Sequence, residues 1–222
     1  MSPGGGGGGQ RAVAHRLLDR HGTTYAAQAG IRLGNTPQPL YQVLVLAGLL
    51  SARIRASVAV AAAQALFDAG MRTPQRMAEA SWQQRVHALG EGGYRRYDER
   101  TATQLGDGAR LLLDRYGGDL RRMRDAAGGD VAALRAALRE VPGIGPTGAH
   151  IFLREVQGVW TELAPYLDAK AVQGAERLGL PTEAGRLARL VGEDDLAAFA
   201  SGLVRAALER SVVDDVLEAA HA

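Results

Sequence analysis

Apolar positions recur every three to four residues along most of the chain, which is the spacing of one buried face of an α-helix. Glycine and proline interrupt this period at short intervals, and no stretch shows a convincing alternation of apolar and polar residues. The pattern therefore predicts an all-α protein of about ten helices joined by short connections.

Capping residues divide this pattern into separate helices. We expect N-caps at Thr73 (followed by Pro74), Ser81, Asp119 and Asp130, and helix stops at Gly70 and Gly117–Gly118. Further helices are predicted near residues 168–178, 182–191, 193–209 and 211–220. The opening stretch MSPGGGGGG, residues 1–9, is predicted to be a disordered tail because it has nothing to bury.

The absence of cysteine excludes disulfides, cysteine nucleophiles, thiolate zinc sites and iron–sulfur clusters held by cysteine. The five histidines are scattered without the spacing of a metal site, so we expect neither a metal nor another cofactor. No apolar run reaches the length of a membrane span, so we expect no membrane partner. The lack of cysteine fits an intracellular protein, and we expect a cytoplasmic, nucleoid-associated location.

Charge is distributed unevenly along the chain. The net charge is +2, yet residues 191–222 contain two arginines against seven acidic residues, so that this part carries −5 and the rest +7. A basic body beside an acidic end suits a polyanionic partner, although ordinary surface charge accounts equally well for it. Lys170 is the only lysine.

The segment VPGIGPTGAH, residues 141–150, places two prolines and three glycines between two helical stretches. Glycines permit positive φ and close backbone approach, and the start of the following helix presents free N–H groups. Such a hairpin binds an anion, which for a DNA partner is a backbone phosphate. A tight corner between helices without a ligand is the alternative. The predicted phosphate-binding residues are Gly143, Ile144, Gly145 and Thr147, with the Ile144 side chain pointing inward.

Four segments in order resemble the helix-hairpin-helix DNA glycosylases of the endonuclease III type. They are PLYQVLVLAGLLSARIRASVAVAAAQALF, LGEGGYRRYDERTATQL, VPGIGPTGAHIFL and PYLDAKAVQGAERLGL, which together cover most of residues 39–180. The resemblance implies two helical subdomains with a cleft between them. Residues 36–165 would form the subdomain with the hairpin, and residues 10–35 with 166–222 the other.

The resemblance also implies a partner, duplex DNA containing a lesion, and a reaction, excision of a flipped-out base by a monomeric enzyme. Asp168 lies at the family's catalytic aspartate, where a carboxylate would stabilise positive charge on the sugar. A plain N-cap is the alternative for this residue. Arg53 and Tyr94 are candidates to fill the gap in the base stack, with a surface charge and a packed aromatic as the respective alternatives.

The chain departs from the family at several positions. Thr147 stands where members that also cleave the backbone have a lysine, and Lys170 replaces the usual histidine two residues after the aspartate. Three interpretations follow: a monofunctional glycosylase, a glycosylase with lyase activity that uses Lys170, and a DNA-binding module without catalysis. Asp168 disfavours the third interpretation and Thr147 the second, whereas the base that is excised is not predicted.

Overall fold

The computed structural model describes residues 6–218, which form α-helices and two short 3-10 turns with no β-strand among them. The all-α prediction is confirmed. The helices are α1 Gly6–His21, α2 Tyr25–Gln28, α3 Pro37–Leu50, α4 Ala56–Asp68, α5 Pro74–Glu79, α6 Trp82–Glu91, α7 Asp98–Tyr116, α8 Leu120–Ala126, α9 Val131–Glu140, α10 Pro146–Val156, α11 Ala169–Arg177, α12 Ala184–Ala188, α13 Leu196–Leu208 and α14 Arg210–Glu218. The 3-10 turns are Thr161–Leu163 and Glu193–Asp195.

The predicted helix ends are confirmed by their hydrogen bonds. Thr73 accepts from the amide of Arg76, and Ser81 and Gln84 form a reciprocal capping box. Asp119 and Asp130 cap α8 and α9 through their carboxylates. The predicted stops Gly70, Gly117 and Gly118 all have positive φ, which glycine adopts without a steric penalty.

The N-terminal prediction is wrong for residues 6–9. Gly6 begins α1, so the last four residues of the predicted tail form its first turn, while residues 1–5 lie outside the described residues. A helix that is already nucleated by packing, here through Ala14 and Leu17, gains one hydrogen bond for each residue added at its end.

The chain forms two compact units. Unit 1 comprises residues 1–25 and 153–222, and unit 2 comprises residues 26–152. These bounds differ from the predicted division at residues 36 and 165. Hydrogen bonds from side chains to the backbone explain the difference. In unit 2, the side-chain amide of Gln64 donates to the carbonyl of Gln28. In unit 1, the side-chain amide of Gln157 donates to the carbonyl of Tyr166 and accepts from its N–H group.

Unit 2 is held together at one point by a buried arginine, Arg85 of α6. Its Nε donates to the carbonyl of Ala102 in α7 at 2.7 Å. Its Nη1 donates to the carbonyls of Met77 and Ala80 at the end of α5, at 2.9 and 2.6 Å. The guanidinium therefore satisfies carbonyls at a helix end, where intrahelical partners are lacking.

Unit 1 depends on a close approach of α11 to α13. A Cβ atom added to Gly174 of α11 would lie 1.8 Å from the carbonyl oxygen of Leu203 in α13. The surrounding core includes Leu17, Leu178 and Phe199. Only a residue without a side chain lets the two backbones meet here.

We expect Gly174→Ala to lower the free energy of unfolding by roughly 2–4 kcal/mol, because the two helices must separate to admit the methyl group. Urea unfolding followed by circular dichroism measures this change. Gly185→Ala in α12 is the control, since that position has no heavy atom within 4 Å of an added Cβ. Equal stability of the two variants would contradict the close approach.

Candidate functional site

The predicted hairpin lies between α9, which ends at Glu140, and α10, which begins at Pro146. Gly143 has a φ of 89°, and a Cβ added to it would also lie 3.3 Å from the Cβ of Gln104. The turn therefore requires glycine at this position for both conformation and space.

Ile144 has a structural role in the hairpin. Its side chain points inward as predicted: its Cδ1 would lie 3.2 Å from a Cβ added to Gly48 of α3, and its Cγ2 3.5 Å from one added to Gly148 of α10. Its amide donates to the carbonyl of Val141 at 3.0 Å. Ile144 was expected among the phosphate-binding residues, but the turn itself uses this N–H group.

The other predicted amides remain open. In the described part of the chain, the N–H groups of Gly143, Gly145 and Thr147 have no hydrogen-bond partner. Thr147 is exposed, and a Cβ added to Gly145 would have no heavy atom within 4 Å. The start of α10 therefore presents unpaired donors at an accessible surface, as anion binding requires.

The two predicted gap-filling residues differ sharply in exposure. Arg53 is exposed in the segment between α3 and α4, and no described residue pairs with its guanidinium. Tyr94 is only 2% exposed, its hydroxyl accepts from the Thr101 hydroxyl at 3.4 Å, and burial raises the pKa of its phenol. A ring that enters a base stack must be exposed, so this burial fits the packed-aromatic alternative, and Arg53 is the candidate that the geometry supports.

Asp168 caps α11, and its carboxylate is buried. Oδ1 accepts from the amide of Ala171 at 3.2 Å, and Oδ2 accepts from Nη1 of Arg154 at 2.6 Å. The side chains of Asp168 and Arg154 are 9% and 7% exposed. A carboxylate in this position is compensated by a helix N-terminus and by a largely buried counter-charge.

Sequence reasoning missed Arg154, although the sequence contains a clue. IFLREV, residues 151–156, places two charges in an apolar helical stretch, and both side chains are buried. Buried charges are rare unless they are paired. The pattern could therefore have indicated a partner for Arg154, but not which of the acidic residues it is.

A buried polar network surrounds the end of α10 within unit 1. Glu155 accepts from the amide of Tyr25 at 3.3 Å and from the hydroxyl of Ser201 at 3.2 Å. The guanidinium of Arg205 lies 4.4 Å from the centre of the Tyr25 ring. Burial raises the pKa of Tyr25, while the positive charges of Arg205 and Arg154 oppose this rise. These contacts hold the last turn of α10, and with it Arg154, in one orientation.

Lys170 lies in the first turn of α11, but on a different side from Asp168. Its side chain is exposed, and Nζ donates to Oε1 of Gln173 at 2.8 Å. The side chain of Asp168, two residues earlier, is only 9% exposed. Residues two apart do not share a helix face, so the Lys170 amine and the Asp168 carboxylate point in different directions.

Among residues 6–218, no group of three or more acidic or histidine side chains is arranged to hold a metal ion. Within the same range, no helix combines the length and the apolar character needed to cross a bilayer.

We expect Arg154→Met to lower the free energy of unfolding by about 3–5 kcal/mol at neutral pH, because Asp168 would keep a buried, unpaired charge. Combining it with Asp168→Asn should restore part of the loss, which a urea-unfolding double-mutant cycle measures. Arg186→Met is the control: its exposed pair with Glu183 should contribute less than about 1 kcal/mol. A strictly additive cycle would contradict the coupling.

Comparison with known proteins identifies the architecture. No protein-family model and no curated protein sequence matches the chain. The structure of a thermostable thymine-DNA glycosylase matches 91% of this chain and 87% of its own, with a TM-score of 0.57 at 17% identity.

Two endonuclease III structures with DNA match less closely. A trapped covalent intermediate gives a TM-score of 0.46 at 19% identity over 73% of this chain and 71% of that one. A non-covalent complex gives 0.49 at 18% over 78% and 74%. At these identities the likeness concerns the fold alone. It rests on the thymine-DNA glycosylase structure, whose TM-score exceeds 0.5: the chain shares the fold of that structure.

Proposed function

We propose that this protein is a monofunctional DNA glycosylase that excises a damaged or mispaired base from duplex DNA. The observation that carries the proposal is the carboxylate of Asp168, fixed between the start of α11 and Arg154. The fold shared with a thymine-DNA glycosylase supports it.

Asp168 would act on the sugar. Cleavage of the N-glycosidic bond develops positive charge on the deoxyribose ring, and a fixed carboxylate stabilises this charge without reorganisation. Two N–H donors occupy two of about four acceptor positions on the carboxylate, so that positions remain for an attacking water. Arg154 would hold the carboxylate in its orientation, although its positive charge would weaken the attraction between the carboxylate and the sugar. This makes Arg154 a positioning residue.

The hairpin would hold the DNA backbone. The open amides of Gly143, Gly145 and Thr147 suit a phosphate, which positions a protein on DNA without reading its sequence. Arg53, exposed and without a described partner, would occupy the space that the flipped base leaves. We expect a monomer to suffice, with lesion-containing duplex DNA as its partner and no cofactor.

Two features favour base removal without backbone cleavage. A lyase step requires an amine that attacks the sugar, and Thr147 occupies the hairpin position where the lyase members of the resembled family have theirs. Lys170 is exposed and bonded to Gln173, on a different face of α11 from Asp168. An amine that is not oriented toward the reaction loses the advantage of proximity.

Asp168→Asn should reduce the single-turnover rate of base excision by about 100-fold or more while binding to lesion DNA persists, because the amide keeps the cap but carries no charge. A panel of duplexes, each with one defined lesion, measures the rate after treatment with hot alkali. Asp130→Asn, the same exchange at the cap of α9, should excise at the wild-type rate. Equal excision by the Asp168→Asn protein, once shown to be folded, would disprove the catalytic role.

The same duplexes test the monofunctional assignment. Strand breaks should appear only after alkali, and borohydride should trap little or no covalent complex. Strong trapping that disappears in Lys170→Ala would instead establish a lyase that uses this amine.

Gly145→Val should weaken binding to damaged and undamaged duplexes by roughly tenfold, because a bulky side chain next to the open amides would hinder the approach of a phosphate. The fold should tolerate it, since an added Cβ has no heavy atom within 4 Å. Fluorescence anisotropy at several salt concentrations measures the loss, and affinity should fall as salt rises. Gly34→Val is the control, since that glycine also has no heavy atom within 4 Å of an added Cβ. Unchanged affinity of Gly145→Val would remove the hairpin from the interface.

A further inference from the structure

Unit 2 contains a cavity of about 400 Å³ between α3, α7 and the hairpin. Gly143 of the hairpin and Arg53 line it, so that it lies beside two of the groups proposed to contact DNA. Asp168 does not line it. The proposed excision chemistry therefore leaves this space without a role, although its volume is that of a small-ligand site.

Three tyrosines, Tyr41, Tyr94 and Tyr97, line the cavity together with apolar residues that include Leu44 and Leu112. Aromatic rings over an apolar floor suit a flat, weakly polar body, such as a heteroaromatic ring. A charged or strongly hydrated ligand would lose its hydration in such surroundings.

Two polar side chains in the cavity wall lack partners. Tyr41 is 2% exposed, and its hydroxyl has no hydrogen bond to any described residue. Burial raises the pKa of Tyr41, so the hydroxyl stays a donor. Gln104, next to Gly143, likewise has no hydrogen bond from its side-chain amide. Gln104 is half-buried, and both groups are available to an occupant that has donors and acceptors of its own.

The rim of the cavity is cationic. Arg53 and Arg100 line it, are exposed, and form no ion pair among the described residues. Guanidinium groups suit phosphates. An aromatic interior with a hydrogen-bonding amide and a basic rim matches the parts of a nucleotide, since a glutamine amide offers the donor and acceptor pair that a base edge requires.

We propose that this cavity binds a second nucleobase, displaced from the duplex next to Arg53 and distinct from the base that is excised. This inference rests on the proposed function, which brings DNA to the hairpin and Arg53. With Arg53 in the space of the flipped base, the cavity that Arg53 lines would lie beside the neighbouring bases and would offer a place to one that leaves the stack. Tyr41 and Gln104 would bond its edge, and Arg100 a flanking phosphate.

Photocrosslinking tests the proposal with an abasic-site duplex that carries one 5-iodouracil, either opposite the abasic site or at one of the two adjacent positions. We expect peptide mapping to place the crosslink on Tyr41, Tyr94 or Tyr97. Leu105→Trp, which fills the cavity, should reduce the yield about tenfold without reducing duplex affinity.

Two milder variants keep the test valid if that substitution impairs folding. Tyr41→Phe and Gln104→Leu should each lower the crosslink yield about fivefold, the effect of one lost hydrogen bond. Tyr116→Phe and Gln83→Leu make the same exchanges outside the cavity and should leave the crosslink yield unchanged.

Crosslinks that map only outside the cavity, or a yield that none of the cavity variants changes, would overturn the proposal. So would equal labelling by free 5-iodo-deoxyuridine monophosphate, which would make the occupant a free nucleotide, and so would failure to bind duplex DNA. Asp168→Asn should crosslink like the wild type. If the wild-type protein crosslinks as expected but excises no base, the proposed catalysis is refuted and the second base site is retained.

Discussion

The buried carboxylate of Asp168 is the constraint on which the candidate site depends. A charge that is removed from water must find both a counter-charge and hydrogen bonds, and Asp168 has both in Arg154 and the amide of Ala171. The counter-charge lies in the last turn of α10, whose first turn carries the open amides of the hairpin. The amides proposed to bind phosphate and the arginine that pairs with the candidate carboxylate therefore belong to the same helix.

Arginine side chains help to stabilise both units of this chain. Without cysteine, and without a cluster of metal-binding side chains among residues 6–218, the units rely on packing and on guanidinium groups. Arg85 satisfies three carbonyls in unit 2, and Arg205 lies over Tyr25 and donates to the carbonyl of His21 in unit 1. A planar group with five donors can join several backbone acceptors that no single amide could reach.

The sequence predicted what depends on near neighbours. Caps such as Thr73 and Ser81, the stop at Gly70 and the hairpin at residues 141–147 all follow from residues within one or two turns, and the structure confirms them. Features that need distant partners escaped prediction. The bond between Arg154 and Asp168 spans 14 residues, and the burial of Tyr94 depends on helices that sequence period alone cannot arrange.

Some errors had local causes. Glycines suggested a loose tail at residues 6–9, yet they continue a helix that packing has already fixed. The composition of the hairpin predicts that Ile144 offers its amide in the same way as the neighbouring glycines. In the structure, the N–H group of Ile144 donates within the turn to the carbonyl of Val141. Which amide remains open depends on turn geometry, and composition does not specify that geometry.

The exposed side chain of Lys170 gives this protein an unusual experimental advantage. It is the only lysine in the chain, and it stands in the first turn of the helix that Asp168 caps. An amine-directed fluorophore would attach to only one side chain, two residues from the candidate carboxylate, and otherwise to the N-terminal amine, with no engineered cysteine. Because the natural sequence also lacks cysteine, a single cysteine introduced at the hairpin would accept a second dye selectively. The two labels together would report the distance between carboxylate and hairpin during encounters with DNA.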